Sequence, residues 1–206
     1  MQQPSLILIA GCNGSGKSTY SSSLVPEGVL PFDYDLLQMQ NYEKLPDSEF
    51  REEFAKNQTT QQLEELISTS LRNHESCCFE TNLMNVPVTW LTQFKNSGFQ
   101  IEIYFFCLDT LEKAKERVMI RTKNNGHFVP DEIIEIKWKE GYKNINSHFS
   151  AFDRIVFIDN SNEQSIPIWL FELTRKNEQT YEIVQFVEDL PEYTQRRLPA
   201  IFNLLH

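Results

Sequence analysis

Ser5-Leu6-Ile7-Leu8-Ile9-Ala10-Gly11-Cys12-Asn13-Gly14-Ser15-Gly16-Lys17-Ser18 is the stretch whose reading decides the fold. Its first six residues form a short apolar run that stops at a glycine. A run of that kind reads as a strand buried on both faces, as in a parallel sheet. Residues 11–18 then match G-x-x-x-x-G-K-[ST] in full, and residues 18–24 open as a helix. Strand, glycine loop and helix in that order are the setting in which this pattern binds phosphate. The glycines let successive backbone N–H groups converge on one concavity, an anion nest, and the helix start adds positive field. Lys17 supplies a point charge for β- and γ-phosphates, and Ser18 a hydroxyl for Mg²⁺. Gly11, Cys12, Asn13, Gly14, Ser15, Gly16 and Thr19 complete the nucleotide-binding set, Thr19 chiefly by packing the helix start. The implied ligand is ATP or GTP with Mg²⁺.

Working outward, strand-like runs alternate with helical spacing. Strands are expected at residues 29–32, 77–79, 101–108 and 154–158. Helices are expected at residues 47–72, 87–96, 111–121 and 131–146. The first of these places Phe50, Phe54, Leu63, Leu66 and Leu71 on its apolar side, with Asp47 or Ser48 as its cap. Alternating strands and helices mean βαβ units and a mainly parallel sheet flanked by helices, an α/β three-layer P-loop NTPase fold. After residue 161 the pattern changes. Residues 166–174 and 180–187 read as a β-hairpin, and 191–205 as a terminal helix or tail. The expected organisation is a domain over residues 1–161, with residues 162–206 packed on it.

Bulk composition narrows the function. The chain has 206 residues, 40% hydrophobic and 23% charged, enough to bury a core without staples. Its net charge of −10 argues against a nucleic-acid binder, which carries a basic face. Cys12, Cys77, Cys78 and Cys107 have no zinc-ligand spacing; Cys77, Cys78 and Cys107 sit in apolar runs and read as buried reduced thiols, a redox switch at Cys77-Cys78 being the alternative. With no signal peptide and no run of spanning length, the expected location is cytoplasmic, away from membranes.

A phosphate loop alone does not say what becomes of the γ-phosphate. Two acidic sites stand where strands should end on the loop side of the sheet: Asp33-Tyr34-Asp35 and Glu80-Thr81. Ligands of open α/β sheets bind beyond those strand ends. Asp35 and Glu80 are therefore the leading acids, a helix cap or a solvated carboxylate being the alternative for each. Arg117 and Arg121 share a helix face. That helix runs into the polar stretch 122–129, so the pair suits a closing lid over the phosphates. An ordinary basic helix end is the alternative. His127 lies within this lid stretch.

Taken together, the phosphate loop, Asp33-Tyr34-Asp35, Glu80-Thr81, Arg117-Val118-x-x-Arg121, Asn125-Gly126-His127-x-Val129-Pro130 and Asp159-Asn160-Ser161 resemble the zeta toxin-like P-loop kinases in order and rough spacing. The resemblance covers about residues 5–161. It implies phosphoryl transfer from ATP or GTP with Mg²⁺ to a sugar hydroxyl. Characterised zeta toxins use UDP-N-acetylglucosamine. It also implies Asp35 as base, Glu80 and Thr81 as the sugar-nucleotide contact segment, and Arg121 as the lid arginine. Arg117 and His127 join the substrate-side set. A separate antitoxin polypeptide is a further implication. One departure stands out. Family members often carry an arginine run after Val-Pro, where this chain reads Glu135-Ile136-Lys137, leaving Lys137 as the substitute charge. That departure keeps open a nucleotide-gated regulatory protein with weak or no kinase activity. A kinase acting on a nucleic-acid end is disfavoured by the acidity.

Overall fold

A computed structural model of the protein describes residues 3–123, 128–162, 165–177 and 180–205. Strand β1 (Ser5–Ala10) is buried along its whole length. It can be apolar on both faces because each face is covered. Leu6, Leu8 and Ala10 enter the larger core, while Ile7 and Ile9 enter a smaller one. Helix α1 (Lys17–Tyr20) leaves the phosphate loop and tightens after four residues into a 3₁₀ turn at Ser21–Ser23, so the helix expected over residues 18–24 is shorter and tighter than its spacing suggested. Leu24, Val25 and Val29 come next and lie over the smaller core.

Strand β2 (Pro31–Phe32) leads directly into helix α2 (Tyr34–Lys44), which no apolar spacing sets apart from its surroundings. Helix α2 lacks an apolar stripe because it docks through polar groups. The buried Asn41 amide donates to Thr59 Oγ1 at 2.9 Å and Gln62 Oε1 at 3.0 Å, both on helix α3 (Arg51–Asn73). The Tyr34 hydroxyl reaches α3 as well, 2.8 Å from Thr60 Oγ1. The expected apolar side of α3 holds for Leu63, Leu66 and Leu71, which pack against the core, and fails for Phe50 and Phe54. Phe50 and Phe54 are 53% and 59% exposed, and the buried face is Ala55, Thr59, Ile67 and Ser70. Neither Asp47 nor Ser48 caps the helix; Asp47 pairs with Arg51.

Strands β3 (Cys77–Thr81), β4 (Gln100–Cys107) and β5 (Arg154–Asp159) alternate with helices α4 (Val88–Asn96), α5 (Leu111–Lys123) and α6 (Asp131–His148). The sheet order is β2-β3-β1-β4-β5, continued by β6 (Ile168–Arg175) and β7 (Tyr181–Gln185). The first five strands are parallel and the last two antiparallel. The result is a mostly parallel seven-stranded α/β sheet flanked by helices. Arg154 ties the hairpin to the parallel strands. It grips the Glu172 carboxylate of β6 with two bonds of 3.0 and 2.8 Å and reaches Glu102 of β4 at 3.0 Å. Bidentate geometry makes such a pair stronger and more specific than a single contact.

Helices α7 (Glu192–Arg197) and α8 (Pro199–Leu205) pack back onto α6. Arg197 is the fastener. Its guanidinium lies over the rings of Trp138, Tyr142 and Tyr193 at 4.6, 5.5 and 5.1 Å. It donates to the carbonyls of Leu108 and Asp109, where β4 ends and α5 is about to begin. An arginine whose hydrophobic faces and donors are both satisfied is worth more than its charge alone. Arg197→Ala is expected to lower stability by about 2–3 kcal/mol, read from urea unfolding. Arg197→Lys should recover only part of the loss, because an ammonium cannot stack and fork together.

Candidate phosphate-binding site

The phosphate loop sits where β1 ends, between β3 and β4. Its curl places three glycines at positive φ, Gly11 at 144, Gly14 at 79 and Gly16 at 97. Space is limiting too. A Cβ on Gly14 would come within 2.6 Å of the Ala114 carbonyl on α5, and one on Gly16 would run into the Asn160 amide. Asn160, at the exit of β5, donates to the Ser15 carbonyl at 2.8 Å. On the other side the Gly11 amide donates to the Thr81 carbonyl at 3.2 Å. The loop is therefore gripped from β3, α5 and β5.

Lys17 folds back over this curl. Its ammonium donates to the carbonyls of Gly11 and Cys12 at 2.7 and 3.1 Å and to Asn82 Oδ1 at 3.3 Å. Burial holds its pKa below the ordinary lysine value, partly offset by nearby Cys12 and Glu80. The Ser18 hydroxyl donates to Glu80 Oε2 at 2.6 Å. Burial pushes the Glu80 carboxyl above the ordinary range, while the Ser18 bond pulls it back. Asp33 caps α2 by accepting the Leu36 amide at 3.1 Å. That leaves Asp35, in the first turn, with an oxygen 3.5 Å from Asn13 Nδ2 on the loop. The Thr81 hydroxyl accepts the Leu83 amide at 3.0 Å.

These groups line one cavity of about 920 Å³. It collects Asn13, Gly14, Gly16, Lys17, Ser18 and Thr19 from the loop, Asp35, Glu80 and Thr81 from the β2 and β3 side, and Arg117 and Arg121 from α5. Arg117 also donates to the Gly14 carbonyl at 3.4 Å. Gly11, Cys12 and Ser15 do not face the cavity and form the underside of the curl, Cys12 and Ser15 buried there; burial pushes the Cys12 thiol up to about 11. Lys137 lies on α6 and does not line the cavity. His127 falls outside the described residues. Two participants escaped sequence reasoning as individuals. Asn160 was visible only as part of Asp159-Asn160-Ser161, and Asn82 carried no signal beyond its place after Glu80-Thr81.

The oxygen set fits a hard divalent cation. Mg²⁺ keeps most of its ligands as water and phosphate and takes one or two from protein. Ser18 and Glu80 present a hydroxyl and a carboxylate at contact distance. Among the described residues, no group of three or more His, Cys, Asp and Glu is arranged to hold a metal by itself.

Residues 6–142 match a family model described as an AAA domain. The chain belongs to that family of P-loop NTPases. An uncharacterised protein of Haemophilus influenzae is 24% identical to the AAA-domain chain over 139 residues, 67% of this chain and 95% of that one. Among solved structures, the PezAT toxin-antitoxin system of Streptococcus pneumoniae is similar with a TM-score of 0.63 at 16% identity, covering 100% of this chain and 89% of that one. The AvrRxo1-ORF1:-ORF2 structure with ATP gives 0.59 at 11% identity, over 98% and 76%. A chain of the Pnkp1/Rnl/Hen1 RNA repair complex gives 0.54 at 20%, over 71% of this chain; the AAA-domain chain spans only 47% of that protein. At these identities the likeness is one of fold.

Glu80 provides a direct check on the site. A carboxyl whose folded pKa is raised contributes stability below its unfolded pKa and loses it as pH rises through the folded value. At neutral pH, without nucleotide, ionised Glu80 therefore costs stability. Glu80→Gln is expected to raise the stability of the free protein by about 1 kcal/mol near pH 7, and the gain should shrink towards pH 4. The same substitution should weaken the extra stabilisation by ATP that depends on Mg²⁺. Thermal unfolding across that pH range, with and without Mg²⁺ and ATP, reads both effects.

Proposed function

We propose that this AAA-domain protein is a kinase that moves the γ-phosphoryl group of ATP or GTP to a hydroxyl of a small molecule. The observation that carries the reading is the opposition, across one cavity, of Lys17 with Arg117 and Arg121 to Asp35 and Glu80. Phosphoryl transfer needs positive charge around the moving group and a base beside the attacking hydroxyl, held in line. The loop amides and Lys17 take the β- and γ-phosphates in place of the loop carbonyls that now hold the ammonium. Arg121, with Arg117, faces the charge that develops on the γ-phosphoryl oxygens. Asp35 accepts the proton of the acceptor hydroxyl as its oxygen bonds to the γ-phosphorus. The bond to the β–γ bridging oxygen breaks, and the nucleoside diphosphate leaves with that electron pair. Ser18 and Glu80 would hold Mg²⁺, which supplies charge neutralisation at the phosphates when bound.

The acceptor is the finer part. The resemblance to zeta toxin-like kinases supports a hydroxyl-bearing metabolite, a nucleotide sugar being the acceptor of the zeta toxins themselves, and Thr81 with the neighbouring backbone would orient it. Lys137 does not line the cavity, so the substitute positive charge at the phosphates falls to Lys17, Arg117 and Arg121. The PezAT and AvrRxo1-ORF1:-ORF2 assemblies support a separate polypeptide that restrains the protein. Among the described residues no helix is long and apolar enough to cross a membrane.

Two substitutions separate binding from transfer. Lys17→Ala is expected to abolish heat release on titration with Mg²⁺ and ATP, and all activity with it. Asp35→Asn should bind nucleotide normally and lose acceptor-dependent ADP release by about 10²–10⁴-fold, the usual worth of a positioned base. Transfer at the native rate by Asp35→Asn would remove Asp35 from the mechanism.

A further inference from the structure

The lining of the cavity changes character across the phosphate loop. On the β4–β5 side stand Arg117, Arg121, Asn160 and Asn162. Helix α5 touches the loop there, through Ala114 against Gly14 and Arg117 on the Gly14 carbonyl. Arg117 thus stands against the phosphate loop, with Arg121 one turn further along the same helix. On the β2–β3 side the wall is built by α2, α3, the end of β3 and α4. Among the described residues this half carries three carboxylates, Asp33, Asp35 and Glu80, and no lysine, arginine or histidine. Its remaining surface is largely apolar: Met39, Leu63, Phe79, Met84, Pro87 and Trp90.

A phosphate-bearing acceptor would need the opposite lining. Phosphate and carboxylate ligands are recognised by guanidinium forks, ammonium groups or converging amides. Among the described residues this half offers no such cationic side chain, and Asp35 beside it would repel a second anion. The apolar wall instead suits a flat face. Trp90 is half-buried and stands edge-on to Phe79, with ring centres 6.0 Å apart at 84°. The thioethers of Met39 and Met84 can adapt to a ring's shape. The Tyr34 hydroxyl is engaged with α3, so this residue offers its ring edge rather than a donor. A few polar groups beside an apolar wall is the usual composition of a small-molecule pocket.

We infer that the acceptor is a non-anionic hydroxyl compound with a flat apolar face, seated between α2, α3 and α4 with its hydroxyl towards Asp35. The inference rests on the kinase reading and narrows it, setting aside a sugar diphosphate. Trp90 is its specificity-determining residue.

The test uses the full chain, Mg²⁺ and ATP labelled at the γ-phosphate. A small-molecule extract of the cells that carry the protein is divided on a strong anion exchanger at neutral pH. Label is expected to pass to a compound of the unretained fraction. Label on a compound of the retained fraction would overturn the acceptor class while leaving the kinase reading intact. If neither fraction accepts label although calorimetry shows nucleotide bound, the kinase reading falls and takes this inference with it. With the acceptor fraction in hand, Trp90→Ala is expected to raise the acceptor KM about tenfold, the worth of an aromatic contact, with the KM for ATP unchanged. Trp90→Phe should restore most of the loss. A rise in the ATP KM alone would assign this half of the cavity to the nucleotide base and overturn the inference.

Discussion

A curled backbone segment cannot hold itself open against its own carbonyls, and every other feature of the site depends on how that segment is held. The loop after β1 is fastened at three points. The Thr81 carbonyl takes the Gly11 amide, the Asn160 side chain takes the Ser15 carbonyl, and the Ala114 backbone closes against Gly14. Each fastener comes from a different element, so the loop is shaped by the sheet and by α5. Helix α1 adds little length, four residues before it tightens. In the proposed kinase the hold on phosphate therefore rests chiefly on the loop amides and Lys17.

Holding the loop this way also sorts charge. Because β1 lies between β3 and β4, elements that come after β3 and elements that come after β4 meet the loop from opposite sides. Arginines sit on α5 and carboxylates on the β2–β3 side. The sheet order thus turns a linear sequence of acids and bases into a cavity with one basic and one acidic wall. In a site partly withdrawn from water such separation has more effect than it would on the surface. The buried Glu80 carboxyl accepts the Ser18 hydroxyl and so joins the acidic wall to the start of α1.

The part of the chain after residue 161 shows how a segment without a motif contributes. Strand β6 continues the sheet beyond β5, and Arg154 bridges three strands through Glu102 and Glu172. Arg197 then fixes α7 against α6 and the end of β4. Since α5 starts just beyond Leu108 and Asp109, Arg197 steadies the helix that carries Arg117 and Arg121, while Asn162 and Ser165, just after β5, line the cavity directly.

Sequence by itself determined the phosphate loop, the alternation of strands and helices, and the acids Asp35 and Glu80 at strand ends. These are local properties, set by glycine spacing, by apolar runs and by the polar residues that end those runs. It also marked Arg117 and Arg121 through their spacing on one helix. Tertiary structure alone decided that Glu80 would meet Ser18, 62 residues away, and that Asn160 would clamp Ser15 across 145 residues. It decided that Asp33 caps α2 while Asp35 faces the loop, and that Lys137 stays out of the cavity. Helix α2 stayed hidden because its packing runs through Asn41, Thr59 and Gln62, hydrogen bonds that leave no periodic trace. Periodicity reports which face is apolar. It is silent on which distant polar group completes a bond, and in this protein those distant bonds shape the site.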